Sequence, residues 1–376
     1  MCMCLSASIL LLTDEMNPGG VARHVVDLAN GLREKGMTPI VAANDGAFRL
    51  RLNKEITFVN LPLFTPKSER KRFLGLLDSY EILMPTIRRE KVILIHSHKR
   101  YTDFLGRVLA RRMSLPHIST CHSIFSSLRH VSFFGDTTIA CSKAAQKMLI
   151  RDFRKGPRDV VQICSGILPF REFHDNEKSR ALKELNIPIG KRVIASVGQL
   201  IESKDRATLV RAVGILKKKG VIDNVIFAIL GEGEQKSVLE GLVRNEEVQS
   251  NVMFIQGTFN VEGLFNVADF MVLSSVREGL PYVLMEAASI SKPHIATDVG
   301  GVSEFVIHGE TGILVPPSDP EKLADAIKNL LDNPETVERL GKRAREKFLR
   351  QFTYDRFIDQ TMEVYKGSFM DRSHVL

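Results

Sequence analysis

Tryptophan is absent from this chain of 376 residues, and aromatic residues make up only 7% of it. No basic–aromatic platform for stacking bases can be assembled from so few rings, so nucleic acid is not expected as a partner. Nor does any apolar run approach the ~18 residues that span a bilayer. The stretch ending at Leu12 lacks a basic leader and a cleavage site and runs into a glycine turn; it reads as a first strand rather than a signal peptide. Five scattered cysteines (Cys2, Cys4, Cys121, Cys141, Cys164) form no paired framework and fit a reducing cytoplasm. Cys2 and Cys4 have no second ligand pair at metal spacing, so structural or incidental roles are expected. Glycine and proline, 26 and 15 residues, are too few and too dispersed for a disordered chain. Two phosphate-binding fingerprints are also missing. Gly231-Glu-Gly233 lacks the third glycine of a dinucleotide motif because Lys236 occupies its place, and neither Gly-Lys pair is followed by Ser or Thr.

What remains is an ordinary globular composition, 44% hydrophobic and 26% charged, long enough for two domains. Charge is distributed unevenly. Residues 1–170 hold 25 Lys and Arg against 14 Asp and Glu, a net of +11; the rest hold 27 against 30, a net of −3. Such asymmetry points the first half toward something anionic, such as a lipid surface or a phosphorylated acceptor. The segment Lys67-Ser-Glu-Arg-Lys-Arg-Phe-Leu-Gly-Leu-Leu, followed by Arg88, Arg89 and Lys91, mixes cations with apolar residues. It reads either as an amphipathic helix on anionic lipid or as a surface helix with its apolar face in the core.

Short apolar runs alternate with helical patterns along the whole chain. Ser8–Thr13, Pro39–Ala43, Thr57–Leu61, Val92–His96, His117–Thr120 and Thr137–Cys141 read as strands, with helices near 21–35 and 103–112. The pattern restarts with strands at 192–197, 224–230, 252–256, 270–274 and 294–297, again with helices between them. This predicts an α/β protein with two parallel sheets, whose ligands gather at the C-terminal strand edges facing a central cleft. Residues 1–170 are assigned to one domain and 171–353 to a second, joined near 166–187, where charge and proline interrupt the pattern. Residues 354–376 are expected to form a helix crossing back to the first domain.

Chemistry is therefore sought at strand-to-helix junctions. Arg277-Glu-Gly-Leu-Pro-Tyr-Val-Leu-Met-Glu286 follows an apolar strand, with Pro281 placed to open a helix whose first amide groups suit phosphate. Glu278 and Glu286 lie eight residues apart, although such pairs also occur as solvated carboxylates. Lys204 follows the 192–200 strand, where a flexible ammonium suits an anion or simply faces solvent. Gly19 and Gly20 sit at the first strand–helix turn. His96, His98 and His122 end two other strands, yet a lone histidine is more often structural.

The Glu278–Glu286 decapeptide resembles the signature of the retaining glycosyltransferases of family 4, which have the two-domain glycosyltransferase-B fold. The resemblance extends to Gly19-Gly20, His96-Ser-His98, Thr120-Cys-His122, Ala140-Cys-Ser142, Val197-Gly-Gln-Leu200 with Lys204, Gly231-Glu-Gly233, Asp298-Val-Gly-Gly-Val-Ser-Glu304 and Gly309-Glu-Thr-Gly312. It implies two Rossmann-like domains, an acceptor domain followed by a nucleotide-sugar domain. The implied reaction is retaining hexosyl transfer from a nucleoside-diphosphate sugar, UDP-linked by expectation, to an acceptor hydroxyl. A glycan, a glycolipid or a small alcohol would accept, in polysaccharide, lipopolysaccharide or glycolipid synthesis. The resemblance gives His122, Glu278 and Lys204 catalytic roles. It assigns the donor to Gly19, Gly20, Gly198, Gln199, Lys204, Gly279, Leu280, Pro281, Val283 and Glu286, with Glu286 on the ribose hydroxyls. His98 and Arg100 are candidates for the acceptor. Gln199 stands where the family usually has Arg, which removes one charge from the diphosphate. Asp-x-Asp, with which other transferases hold a metal against the diphosphate, is absent; no metal and no cofactor are expected. A cytoplasmic protein, peripheral on the inner face of the cell membrane, completes the expectation. A nucleotide-sugar epimerase of the same fold, or a non-catalytic binder of sugar nucleotides or anionic lipid, stands as the alternative.

Overall fold

The computed structural model describes residues 7–62, 69–125, 132–256 and 260–370. The chain divides into two compact domains, Met1–Gly166 with Tyr354–Leu376, and Ile167–Thr353. The first contains strands β1 (Ser8–Glu15), β2 (Thr38–Asn44), β3 (Thr57–Asn60), β4 (Val92–Ser97), β5 (His117–Cys121), β6 (Thr137–Ala140) and β7 (Val160–Gln162). Its helices are α1 (Gly20–Glu34), α2 (Glu69–Arg89), α3 (Arg100–Met113) and α4 (Lys143–Arg151). The second domain runs through α5 (Asp175–Glu184), β8 (Arg192–Val197), α6 (Arg206–Lys218), β9 (Val225–Leu230), α7 (Lys236–Asn245), β10 (Val252–Ile255), α8 (Val261–Val267) and β11 (Phe270–Leu273). It continues with α9 (Tyr282–Ser289), β12 (His294–Thr297), α10 (Val302–Phe305), β13 (Gly312–Val315), α11 (Pro320–Asp332) and α12 (Pro334–Gln351). The last helix, α13 (Tyr354–Met370), returns to the first domain.

Both sheets are wholly parallel, ordered β3-β2-β1-β4-β5-β6-β7 and β10-β9-β8-β11-β12-β13. A parallel sheet is covered on both faces, which is why its strands read as unbroken apolar runs. In β1, Ile9 and Leu11 pack with Val25, Leu28 and Leu32 of α1 and with Phe357, Ile358 and Tyr365 of α13. Leu10 and Leu12 pack on the other face with Leu83 and Ile87 of α2 and Leu105 and Leu109 of α3. Burying side chains of this size stabilises by roughly 1.5–3 kcal/mol each, so α13 is a structural wall of the first domain.

The strand order reverses between β1 and β4 in one sheet and between β8 and β11 in the other. Such reversals splay the following loops apart and open a crevice at the C-terminal strand edge. Two sequence readings are corrected. Residues 166–187 are not simply a joint: they contain α5, opened by a capping box between His174 and Glu177, and the stretch from Ile167 onward belongs to the second domain. Pro281 is the N-cap of α9 rather than its first helical residue, with extended ψ of 129°. The segment at Lys67 lies partly outside the described residues, as do Cys2 and Cys4. In the described part of α2, Leu76 packs against the core whereas Leu77 is exposed. Among the described residues no helix is long and apolar enough to cross a membrane.

Candidate functional site

The second domain gathers its predicted residues at the β8/β11 reversal. β8 delivers Gly198 and Gln199, and a short 3-10 turn, Glu202–Lys204, presents the lysine. Lys204 Nζ donates to Glu278 Oε1 at 2.6 Å, and Ser275 Oγ donates to the same oxygen at 2.6 Å. Glu278 and Glu286 are both buried, at 6% and 7% exposure, so neither is the solvated surface carboxylate that the sequence left open. Glu286 is buried on α9; in that helix's first turn Leu284 N–H donates to the Pro281 carbonyl at 3.2 Å, while the amides ahead of it, including that of Val283, precede any intrahelical acceptor. Gly279, Leu280 and Pro281 are buried, Tyr282 and Val283 half-buried, and Gln199 exposed.

Four supporting residues were given no role at the site by the sequence reading. Arg206, at the start of α6, is fully buried; its Nη2 donates to the Val197 carbonyl at 2.9 Å and its Nη1 to the Lys204 carbonyl at 3.4 Å. It thereby ties the end of β8 to the lysine turn. Burial lowers its pKa to about 10, opposed by the attraction of Glu278 and Asp205, so it remains charged at neutral pH. Two cations therefore stand against Glu278, an arrangement receptive to an anion. His294 on β12 reaches the Leu284 carbonyl of α9 at 2.8 Å; desolvation lowers its pKa to about 4, so a neutral imidazole pins that helix. Thr297 Oγ1 donates to the Ser275 carbonyl and fixes the loop bearing Glu278. Gly231 supports the site by being small: a Cβ there would lie 2.0 Å from the Gly198 carbonyl oxygen. Gly198 itself has φ +141°, which side chains rarely adopt. A helical arginine, a strand histidine and a strand threonine carry no sequence mark separating them from core residues, whereas Gly231 was quoted only for its motif.

In the first domain the predicted residues also share one sheet edge. Gly19 is exposed and extended, with φ 170°, and a Cβ there would meet only the Asn17 carbonyl at 4.0 Å. Neither backbone nor packing demands glycine here. Gly20 opens α1, whose first turn contains no acidic residue. His98 follows β4 and His122 follows β5, with His98 Nδ1 and His122 Nε2 3.3 Å apart. His24, on α1, joins them, its ring centroid 5.2 Å from that of His98 and 4.5 Å from that of His122. Burial, as the largest cause, lowers the pKa of all three, that of His24 to about 3. His96 is a strut: Nδ1 meets Tyr365 Oη and Nε2 meets Thr120 Oγ1, both at 2.7 Å. Arg100 stacks over the Phe125 ring, 3.9 Å from its centroid. Beneath this edge, Asp14 is buried beside Thr102, and desolvation raises its carboxyl pKa to about 6.

Known proteins agree with this anatomy. Residues 177–347 match the family model for glycosyl transferases group 1, and residues 18–169 match that for glycosyltransferase family 4. N-acetyl-alpha-D-glucosaminyl L-malate synthase of Bacillus anthracis is 25% identical over 76% of this chain and 77% of its own. D-inositol 3-phosphate glycosyltransferase of Corynebacterium glutamicum is 27% identical over 76% of this chain and 75% of its own. The crystal structure of Anabaena HepE in complex with UDP-glucose superposes with a TM-score of 0.84, covering 96% of this chain and 99% of that one at 20% identity; it shares the fold of two parallel-sheet domains. The chain belongs to the family 4 glycosyltransferases and has the two-domain glycosyltransferase-B fold.

Proposed function

We propose that this glycosyltransferase takes its sugar from a UDP-linked donor and transfers it with retention of anomeric configuration. The observation that carries the reading is the Lys204–Glu278 pair at the β8/β11 reversal, set between the glycine loop at Gly198 and the start of α9. Lys204 and the α9 amides would neutralise the diphosphate as it leaves, with Gln199 adding a hydrogen bond but no charge. The diphosphate would thus need no metal of its own. Glu286 would accept hydrogen bonds from the ribose hydroxyls and Glu278 would face the sugar. In the first domain, His122 would contact the donor sugar, and His98 and Arg100 the acceptor. UDP is favoured because HepE was crystallised with UDP-glucose.

An acceptor at an anionic membrane surface, such as a glycolipid, fits the +11 charge of residues 1–170. It also fits α3, which exposes Tyr101, Phe104 and Val108 along one stripe beside Arg111 and Arg112. Calorimetry with UDP, GDP and ADP sugars tests the donor, and NMR of the product anomer tests retention. Absence of nucleotide-sugar binding by the wild type, or unchanged binding by Lys204→Ala and Glu286→Ala, overturns the site assignment. Co-sedimentation with anionic vesicles that does not weaken with salt, or does not occur, removes the membrane reading.

A further inference from the structure

We propose that His24, His98 and His122 form a binding site for one divalent transition-metal ion of the zinc class. The three come from the edges of neighbouring strands: His24 one turn into the helix after β1, His98 directly after β4, His122 directly after β5. One ring nitrogen of each lies within 4.8 Å of those of the other two. The 3.3 Å between His98 Nδ1 and His122 Nε2 equals the spacing of two donors on tetrahedral zinc, about 3.3–3.4 Å for Zn–N bonds of about 2.0–2.1 Å. Nothing in the spacing of residues 24, 98 and 122 along the chain announces such a set, and it departs from the sequence expectation that no metal is used.

The neighbouring histidines define the cluster by contrast. Both nitrogens of His96 are engaged by Tyr365 and Thr120, and His117 Nε2 is engaged by Ser97 Oγ at 2.9 Å. In His98 it is Nδ1 that faces the cluster, 3.3 Å from His122 Nε2; its Nε2, like His117 Nδ1, is buried with no hydrogen-bond partner. Ser165 Oγ lies 3.1 Å from His24 Nδ1, the contact that orients a ligating imidazole so that its other nitrogen faces the ion. An all-imidazole set selects zinc, cobalt, nickel or copper over magnesium and calcium, which require oxygen ligands. Three ligands leave the fourth position of a tetrahedral ion to water or to an incoming group, and half-buried His122 gives the ion a way in.

The consequence for transfer rests on the reading above that His122 touches the donor sugar: a ring bound to an ion is withdrawn from the sugar, so occupancy of the site inhibits transfer. The test is titration of chelator-stripped full-length protein with Zn²⁺ and Co²⁺, following stoichiometry by equilibrium dialysis and the cobalt site by its visible spectrum. One equivalent should bind, and the cobalt spectrum should be that of a four-coordinate site without thiolate. His24→Gln and His98→Asn should each weaken binding by about tenfold or more, and Cys2→Ser/Cys4→Ser should leave it unchanged. No stoichiometric uptake by the wild type overturns the proposal; so does thiolate-to-cobalt charge transfer, or an equivalent retained by the His24→Gln/His98→Asn double variant. The first two outcomes need no variant to fold. Should one equivalent of zinc bind at the triad and transfer continue undiminished, the metal site stands and the placement of His122 against the sugar falls.

Discussion

Acidification from pH 7 to pH 5 should loosen the first domain more than the second. Desolvation holds His24 and His117 down to about 3 in the folded chain, against 6.5 when exposed. Folded pKa values below the unfolded ones mean that the unfolded chain takes up protons the folded chain refuses. Their stabilisation is complete above pH 6.5 and is lost as the pH falls. At ~1.4 kcal/mol per proton per pH unit, two imidazoles remove ~4 kcal/mol between pH 6.5 and pH 5. Asp14 acts in the opposite sense. Its carboxyl, raised to about 6, is protonated first in the folded state and returns ~1.4 kcal/mol between pH 6 and pH 5. The net loss is ~3 kcal/mol, a large share of the roughly 5–15 kcal/mol by which a folded protein is stable. His96, His98 and His122, lowered by burial, add to the loss; Asp27 and Asp103, raised by burial, reduce it. In the second domain His294, held to about 4, costs ~2 kcal/mol over the same window. Hydrogen exchange at several pH values, corrected for intrinsic rates, separates the domains: peptides covering β4 and β5 report one, β8 and β9 the other. Equal protection of β4 and β5 at pH 5 and pH 7, or earlier opening of β8 and β9, refutes the reasoning.

Lys204→Met removes the cation of the Glu278 pair and should weaken UDP binding by about 10- to 100-fold, equivalent to about 1.4–2.8 kcal/mol; an unchanged dissociation constant by calorimetry would show that the lysine does not meet the diphosphate. Gly231→Ala drives a Cβ into the Gly198 carbonyl and should lower the melting temperature, with a destabilisation of about 2 kcal/mol or more, together with nucleotide affinity. A variant that melts like the wild type would contradict the packing of the two loops. For Asp14→Asn the size of the effect depends on pH. The penalty for ionising Asp14 in the folded state is absent below pH 3.8 and complete above about 6. The amide should therefore stabilise by up to ~3 kcal/mol at pH 7.5 and by little at pH 4. Denaturant melts at the two pH values check this; an advantage that does not depend on pH counts against a buried carboxyl.

Strands and helices could be read from the sequence because parallel strands covered on both faces are short unbroken apolar runs, as in Ser8–Thr13 and Arg192–Val197. α5 could not, because Asp175–Glu184 buries only Ala181 and so lacks the apolar stripe by which an amphipathic helix is known. Polar contacts local in sequence or motif were also readable: Glu278 and Lys204 were each singled out, and the structure joins them. Arg206 and Thr297 were not, since what distinguishes them is which carbonyl each reaches. Those partners are set by the sheet order. The histidine triad is the extreme case, as its members come from three segments and meet only because β1, β4 and β5 are neighbours.

The closing helix has one more implication. Phe357, Ile358 and Tyr365 complete the core of the domain that begins at the other terminus, so a ribosome emits the first half of that core some 190 residues before the last of it. The intervening domain holds all its strands in one continuous stretch and can finish folding first, although it is made second. Losing the final seventeen-residue helix would therefore strip the amino-terminal half of a wall and leave its neighbour whole.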